Sequence, residues 1–353
     1  MTRVRYVIIG AGAVGGTIGG LLAEAGRDVV LVARGAHLAA IRQDGLHLTT
    51  ASGARTLRCP TAAGPAEVDL RPDDVLVLAV KGQDTAAVTA QWAGRPVAGG
   101  RTAGEDLLLV CAQNGVDNER TALRRFARVA GMCVWLPATY LEPGHVSAAG
   151  SPVTGILTLG SVPTGDPDPA LDAVGADLVA GGFRAPVVAD VLAWKYAKLL
   201  SNLANAVEAL CGPIGSDGTR ELLRAVRAEA DQVLAAAGVE VTPDAEQAVA
   251  RHGFTLVELP GAPRGGGSSW QSLARGAGSI EAAYLNGEIV LLGRLHGVPV
   301  PVNATLLRLA ERAAADGEAP GGHPAEAVLA EAQGSRAAWD GRTTDEGREG
   351  RSA

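Results

Sequence analysis

At 353 residues and 47% hydrophobic, the chain is long enough for two domains with a sizeable core. Its formal net charge of −7 without a basic patch argues against a nucleic-acid partner, and no run approaches the roughly 18 uncharged apolar residues of a membrane span. The four cysteines, Cys59, Cys111, Cys133 and Cys211, lie far apart with no C-x-x-C pair, so neither a metal site nor a disulfide framework is implied and a reducing cytoplasm fits best.

Arg3 to Gly10 reads as a buried parallel strand, too short and wrongly flanked to be a signal peptide. It leads directly into Gly10-Ala11-Gly12-Ala13-Val14-Gly15, a G-x-G-x-x-G fingerprint that opens a helix ending near Gly26. In this strand-turn-helix setting Gly10 permits the tight turn, Gly12 lets the backbone approach a pyrophosphate, and Gly15 lets helix and strand pack closely. The helix N-terminus adds unpaired N–H groups and a partial positive charge for the phosphates. The second strand, Asp28 to Ala33, ends where an NAD-binding chain carries an acid for the ribose hydroxyls, and here the next residue is Arg34. A cation at that point suits a 2′-phosphate and favours NADP(H). In so arginine-rich a chain, an incidental surface arginine is the plainer alternative.

Residues 46 to 61 alternate like a short hairpin, and Asp74 to Val80 is a buried strand followed by Lys81. A lysine at the carboxyl end of a parallel strand lies on the ligand edge of such a sheet. Asp106 to Ala112 is another strand and ends on that edge in Gln113-Asn114-Gly115. Asn114 is a candidate contact for nicotinamide or substrate, although Asn-Gly is also simply a turn signal. Between about 129 and 187 the pattern turns β-rich, and those strands are expected to complete the first domain's sheet. His145 follows a turn and reads as a surface residue, and Asp166 to Pro169 opens a helix.

Asp190 to Leu210 reads as one long helix, apolar except for a stripe formed by Lys198, Asn202 and Asn205. At about 100° per residue these fall within roughly 60° of one another. Exposed helix surface would favour Glu, Arg and Gln over Asn, so the stripe reads as a site wall. Of 31 basic residues only Lys81, Lys195 and Lys198 are lysines, and only six asparagines occur. A chain that uses arginine almost everywhere keeps lysine where a titratable amine matters. Lys195 is rotated about 60° further from Asn205 than Lys198 is, and its loss is expected to change the rate only a few-fold unless packing is disturbed. Helices follow at 217–237 and 243–252, then a glycine-proline loop at 259–267 that delivers Ser268-Ser269 to another helix. A last helix spans Asn303 to Ala315 with Asn303 as its expected N-cap. The segment 334–353 has the composition of a disordered tail.

These motifs recur together, and in this order, in the ketopantoate reductase (2-dehydropantoate 2-reductase) family. The glycine turn 10–15, Arg34, Lys81, Gln113-Asn114-Gly115, Lys198 with Asn202, Ser268-Ser269, and Glu281 to Gly287 resemble that family over roughly residues 4 to 315. The resemblance implies an α/β fold: an N-terminal Rossmann-type domain with a mostly parallel sheet (1–187), then an all-α C-terminal domain (188–333), with the reaction in the cleft between them. It implies Lys198 as general acid; Glu281, Asn114, Asn202 and Ser269 as substrate contacts; and Arg34 and Lys81 on the NADP(H) adenosine phosphate. Asn205, on the same stripe, joins the candidate substrate contacts. Two positions depart from the pattern: Ala206 stands where the family repeats Asn, and Ala283 stands where some members carry an acid. The expected substrate is therefore a small-molecule 2-oxo acid or related ketone rather than ketopantoate alone, and a homodimer is left open. Two other readings stand beside this one: an NADP(H)-sensing protein without catalysis, and an opine- or 3-hydroxyacid-dehydrogenase-like enzyme. The second relies on a catalytic histidine, and none of the six histidines lies in such a motif.

Overall fold

The computed structural model describes residues 4–140, 142–165, 167–260 and 266–334. By internal contacts the chain divides into two compact units, Met1–Ala197 with Val241–Arg264, and Lys198–Glu240 with Gly265–Ala353.

The first unit is α/β. Its elements begin with β1 (Arg5–Ile9), α1 (Ala13–Glu24), β2 (Asp28–Val32), α2 (Gly35–Asp44), β3 (Leu46–Thr50), β4 (Gly53–Leu57), β5 (Thr61–Ala62) and β6 (Asp74–Leu78). There follow α3 (Thr85–Ala93), α4 (Ala103–Asp106), β7 (Leu108–Cys111), α5 (Asp117–Ala122), β8 (Arg128–Trp135), β9 (Ala138–Thr139), β10 (His145–Ala148), β11 (Gly150–Ser151), β12 (Ile156–Val162) and α6 (Ala170–Ala180). The main sheet runs β12-β8-β7-β6-β1-β2-β5, parallel throughout except for β12. Chain order therefore reverses between β1 and β6, and in such sheets the crevice at the carboxyl ends beside a reversal is where ligands bind.

Both faces of this sheet are covered, which is why its strands read as unbroken apolar runs rather than alternating ones. Tyr6, Ile8, Val29, Leu31, Val75 and Val77 pack into one core. Their neighbours Val7, Ile9, Val30, Val32, Leu76 and Leu78 pack into the other. The expected hairpin is β3 with β4, antiparallel. The expectation that all strands after 129 complete the main sheet holds for β8 and β12 only. His145 begins β10, which pairs in parallel with β3 in a separate sheet of order β4-β3-β10-β9. His145 is exposed there and stacks on His47, with ring centroids 4.4 Å apart.

The stretch expected as one helix from 190 to 210 is two, α7 (Val191–Asn202) and α8 (Ala204–Cys211), meeting at Leu203. The interruption is slight: Leu203 keeps helical dihedrals (φ −59°, ψ −26°) and its N–H still reaches Leu199 O at 3.0 Å. Ser201 and Asn202, whose short polar side chains compete with the helical ladder, precede the break. Asp190 caps α7, its Oδ1 accepting from the Ala193 N–H at 3.1 Å. The first unit ends its first pass at Ala197 and regains the chain at Val241. In that returning segment, α10 (Asp244–Ala250) leads to β13 (Thr255–Leu256), which pairs antiparallel with β11. The expectation of an exclusively helical chain after residue 190 misses this return, since a two-residue strand has no periodicity to show.

The second unit is helical, built on α8, α9 (Asp217–Ala236), α11 (Ser268–Ala274), α12 (Asn286–His296) and α13 (Pro301–Asp316), with residues 325–334 forming a further helix after the one expected to be last. Asn303 is not an N-cap. Helix α13 starts at Pro301, whose missing N–H is no loss in the first turn. The buried Glu229 carboxylate of α9 caps it instead, accepting from Val302 N at 2.8 Å and Asn303 N at 2.9 Å. Of the expected loop at 259–267, residues 261–265 lie outside the described residues, as does the expected tail from 335 onward.

Candidate functional site

In the first unit the strand ends line up. Ile9 is level with Val32 on one side and Leu78 on the other, and Leu78 is level with Cys111. The residues that follow, Gly10, Arg34, Lys81 and Asn114, therefore share one carboxyl edge. The three fingerprint glycines differ in what surrounds them. Gly10 has φ +101°, and a Cβ there would meet Val80 at 2.9 Å, so only glycine serves. A Cβ on Gly15 would lie 2.1 Å from Gly10 O and 3.0 Å from Ile8 and Ala79, so this glycine sets the packing of α1 on the sheet. A Cβ on Gly12 would meet nothing within 4 Å. That open space at the start of α1, whose first turn carries no acid, is what a pyrophosphate needs. Gly10, Gly12, Ala13 and Val14 are half-buried, while Ala11 and Gly15 are buried.

These surroundings separate two effects. Gly15→Ala is expected to destabilise the fold by at least about 1–3 kcal/mol through overpacking. Gly12→Ala is expected to leave stability nearly unchanged and to cut dinucleotide binding sharply. Urea unfolding beside a cofactor titration checks both, and equal effects on stability would contradict the distinction.

Arg34 is exposed and extended (φ −135°, ψ 162°) immediately before α2. Lys81 is half-buried immediately before the short 3-10 turn Gly82–Asp84. Beside them lies a buried polar network that the sequence did not single out. Gln113 Nε2 donates to Val80 O at 2.9 Å and to Thr85 Oγ1 at 2.8 Å. Thr85 donates to Asn118 Oδ1 at 2.8 Å, and Asn118 Nδ2 donates to Asn114 O at 2.8 Å. Lys195 of α7 enters from above residue 190, giving Nζ to Gln113 O at 3.1 Å and to the Glu119 carboxylate. Both charges are fully enclosed, with side chains 2% and 0% exposed. Burial pushes the Glu119 carboxyl above the usual carboxylate range, and the Lys195 ammonium pulls it back. The scarcity of lysine was the available signal, and it pointed to Lys195 as much as to Lys198.

In the second unit Lys198 and Asn202 are half-buried at the end of α7, and Asn205 is half-buried in α8. Helix α8 packs on α11. Asn205 Nδ2 reaches Ser268 Oγ at 3.4 Å, and Glu208 Oε2 accepts from Gly267 N at 2.7 Å, so α8 meets the start of α11 at Asn205 and Ser268. Ser269 is 2% exposed. Its Oγ and the Asn202 Nδ2 are buried with no hydrogen-bond partner among the described residues. Each such orphan costs about 1–3 kcal/mol unless something satisfies it. Glu281 is half-buried at the start of the 3-10 turn Glu281–Tyr284, which packs on α12 and α13. Ala206, at the position where the family pattern repeats Asn, is 1% exposed. Among the described residues no group of His, Cys, Asp or Glu is arranged to hold a metal ion, and no helix is long and apolar enough to cross a membrane.

The family model described as ketopantoate reductase PanE/ApbA matches residues 6–163, and its C-terminal counterpart matches residues 190–314. The chain belongs to the ketopantoate reductase family. This family member is 31% identical to the 2-dehydropantoate 2-reductase of Archaeoglobus fulgidus over 312 residues, 86% of this chain and 96% of the relative. It is 30% identical to the 2-dehydropantoate 2-reductase of Mesorhizobium japonicum over 344 residues, covering 89% and 98%. Among solved structures it resembles a PanE/ApbA family ketopantoate reductase from Ralstonia eutropha JMP134, with TM-score 0.73, 29% identity, and 89% and 99% of the two chains covered. D-mandelate dehydrogenase, solved with NADH and anilino(oxo)acetate, shares the fold at TM-score 0.74 and 20% identity, over 89% and 99%.

Proposed function

We propose that this family member is an NADPH-dependent reductase of a 2-oxo acid or related ketone, with ketopantoate the first substrate to test. The observation that carries the reading is the pair of orphaned polar atoms, Asn202 Nδ2 and Ser269 Oγ, in the unit that bears Lys198. A hydroxyl and an amide N–H without partners suit a carboxylate or carbonyl oxygen better than an apolar ligand. Asn202, Asn205, Ser269 and Glu281 hold the substrate in this reading, and Asn114, at the carboxyl edge of the first unit's sheet, contacts the nicotinamide. NADPH supplies the hydride when bound. Lys198 delivers a proton to the carbonyl oxygen as general acid.

Arg34 and Lys81 hold the 2′-phosphate in the same reading, and the open space at Gly12 accommodates the pyrophosphate. D-mandelate dehydrogenase was solved with NADH, so fold alone does not choose the cofactor, and Arg34 is where this chain chooses. Arg34→Ala is expected to weaken NADPH binding by about 10- to 100-fold, the loss of one charge-assisted contact of about 1.5–3 kcal/mol, and to leave NADH binding nearly unchanged. Titration of both cofactors on both proteins measures this, and a wild-type protein that binds NADH as tightly as NADPH contradicts it. A screen of NADPH oxidation over ketopantoate and related 2-oxo acids tests the activity. No turnover with any of them, alongside tight NADPH binding, would favour the sensor reading.

A further inference from the structure

His37 is buried, 8% exposed, and lies in α2 three residues after Arg34. Its Nδ1 accepts a hydrogen bond from the Gly144 amide at 2.8 Å, and its Nε2 lies 2.6 Å from Ala11 O. An amide N–H only donates and a carbonyl only accepts. Nδ1 must therefore be unprotonated and Nε2 must carry the hydrogen, so the imidazole is neutral and in one tautomer. Burial, which lowers this histidine's pKa, favours the same neutral form. Tyr140 lies against the ring, centroids 4.6 Å apart and planes tilted by 59°, and limits its rotation.

Ala11 is the residue between the first two fingerprint glycines, and its own N–H is held by Val32 O at 2.9 Å. Its carbonyl belongs to the same planar trans peptide as the Gly12 N–H, and in such a unit the two point in opposite directions. Fixing the Ala11 oxygen therefore fixes the Gly12 N–H, turned away from His37 at a position where a Cβ would meet open space. We infer that His37 is a positioning residue for the cofactor: by holding the Ala11 carbonyl against the Gly144 amide, it sets the Gly12 N–H as a donor to the dinucleotide's pyrophosphate. This rests on the reading of the glycine turn as the dinucleotide site. It makes the histidine a dipole lock on the backbone rather than a proton carrier, since both ring nitrogens are already committed.

The test uses the full-length protein with His37→Leu, which keeps bulk and removes both bonds, and His37→Gln, which keeps one acceptor and one donor. For each, the NADPH Kd is measured by fluorescence titration, kcat and KM by NADPH oxidation, and stability by thermal unfolding. The expected result is that His37→Leu weakens NADPH binding by about 10-fold or more, the scale of a lost hydrogen bond to a charged group. Its kcat at saturating NADPH should stay within a few-fold of the wild type, and His37→Gln should recover part of the loss. A folded His37→Leu protein with a wild-type NADPH Kd overturns the inference. Should neither variant fold, the wild-type imidazole reports instead: NADPH binding must shift the ¹⁵N resonances of His37, and unmoved resonances overturn the inference. A wild-type protein that binds no dinucleotide overturns the underlying reading, and the inference with it, which is a different outcome from normal binding that is insensitive to His37.

Discussion

Lys198→Ala is expected to lower kcat by about 10²–10⁴-fold, the usual scale for loss of a general acid, while NADPH affinity stays within a few-fold of the wild type. The expectation follows from the proposed role at the end of α7, where Lys198 is half-buried and one turn from the orphaned Asn202 amide. Lys198→Arg should not restore the rate, because a guanidinium does not release a proton near neutral pH. The competing role is an ion pair with Glu281 that merely ties two segments together. In that case Lys198→Ala would lower the unfolding midpoint and leave kcat nearly intact. Steady-state kinetics and unfolding on the same preparations separate the two, and near-normal kcat in Lys198→Ala would reject the proton-donor assignment.

The second large effect belongs to the other lysine of α7. Lys195→Ala and Glu119→Ala should each destabilise the protein by about 3–5 kcal/mol, because each leaves its partner's charge enclosed without compensation. The double change Lys195→Met with Glu119→Leu should recover most of that loss, since well-packed apolar groups replace a buried ion pair at little net cost. Recovery should fall short of complete, because Gln113 O also loses its donor. Urea unfolding of the four proteins gives the comparison, and single variants within about 1 kcal/mol of the wild type would show that the pair carries no such weight. Because Gln113 adjoins Asn114 on the sheet edge, a rate loss is expected as well. The sequence-level expectation of a few-fold change for Lys195 allowed for disturbed packing, and 3% exposure makes that exception the rule here.

The two predictions concern residues three positions apart, and the difference between them marks how far the sequence could be read. The features legible in the amino-acid order are local ones. The apolar runs Arg5–Ile9, Asp28–Val32 and Asp74–Leu78 announce strands buried on both faces. The glycines at 10, 12 and 15 announce a turn, because backbone dihedrals and missing Cβ atoms act within a few residues of their cause. The order of those signals along the chain was enough for the fold class and the family.

Tertiary structure alone decided which polar groups meet. Lys195 finds Glu119 across 76 residues, His37 finds Gly144 across 107, and Glu229 caps α13 across 73. None of these partners is marked by helical or strand periodicity, which reports only which face of an element is apolar. The same limit hid the return of residues 241–260 to the first unit, which is held by the β11–β13 pair, by the Thr242 N–H on Ala193 O, and by Arg184 on the Ala250 and His252 carbonyls. It also made Asn303 look like a cap, when the carboxylate doing that work comes from another helix. Side-chain identity limits what a residue can bond. Only the packing of distant segments removes water from around it and leaves a single partner within reach, and in the interior that removal is what gives the bond its energy.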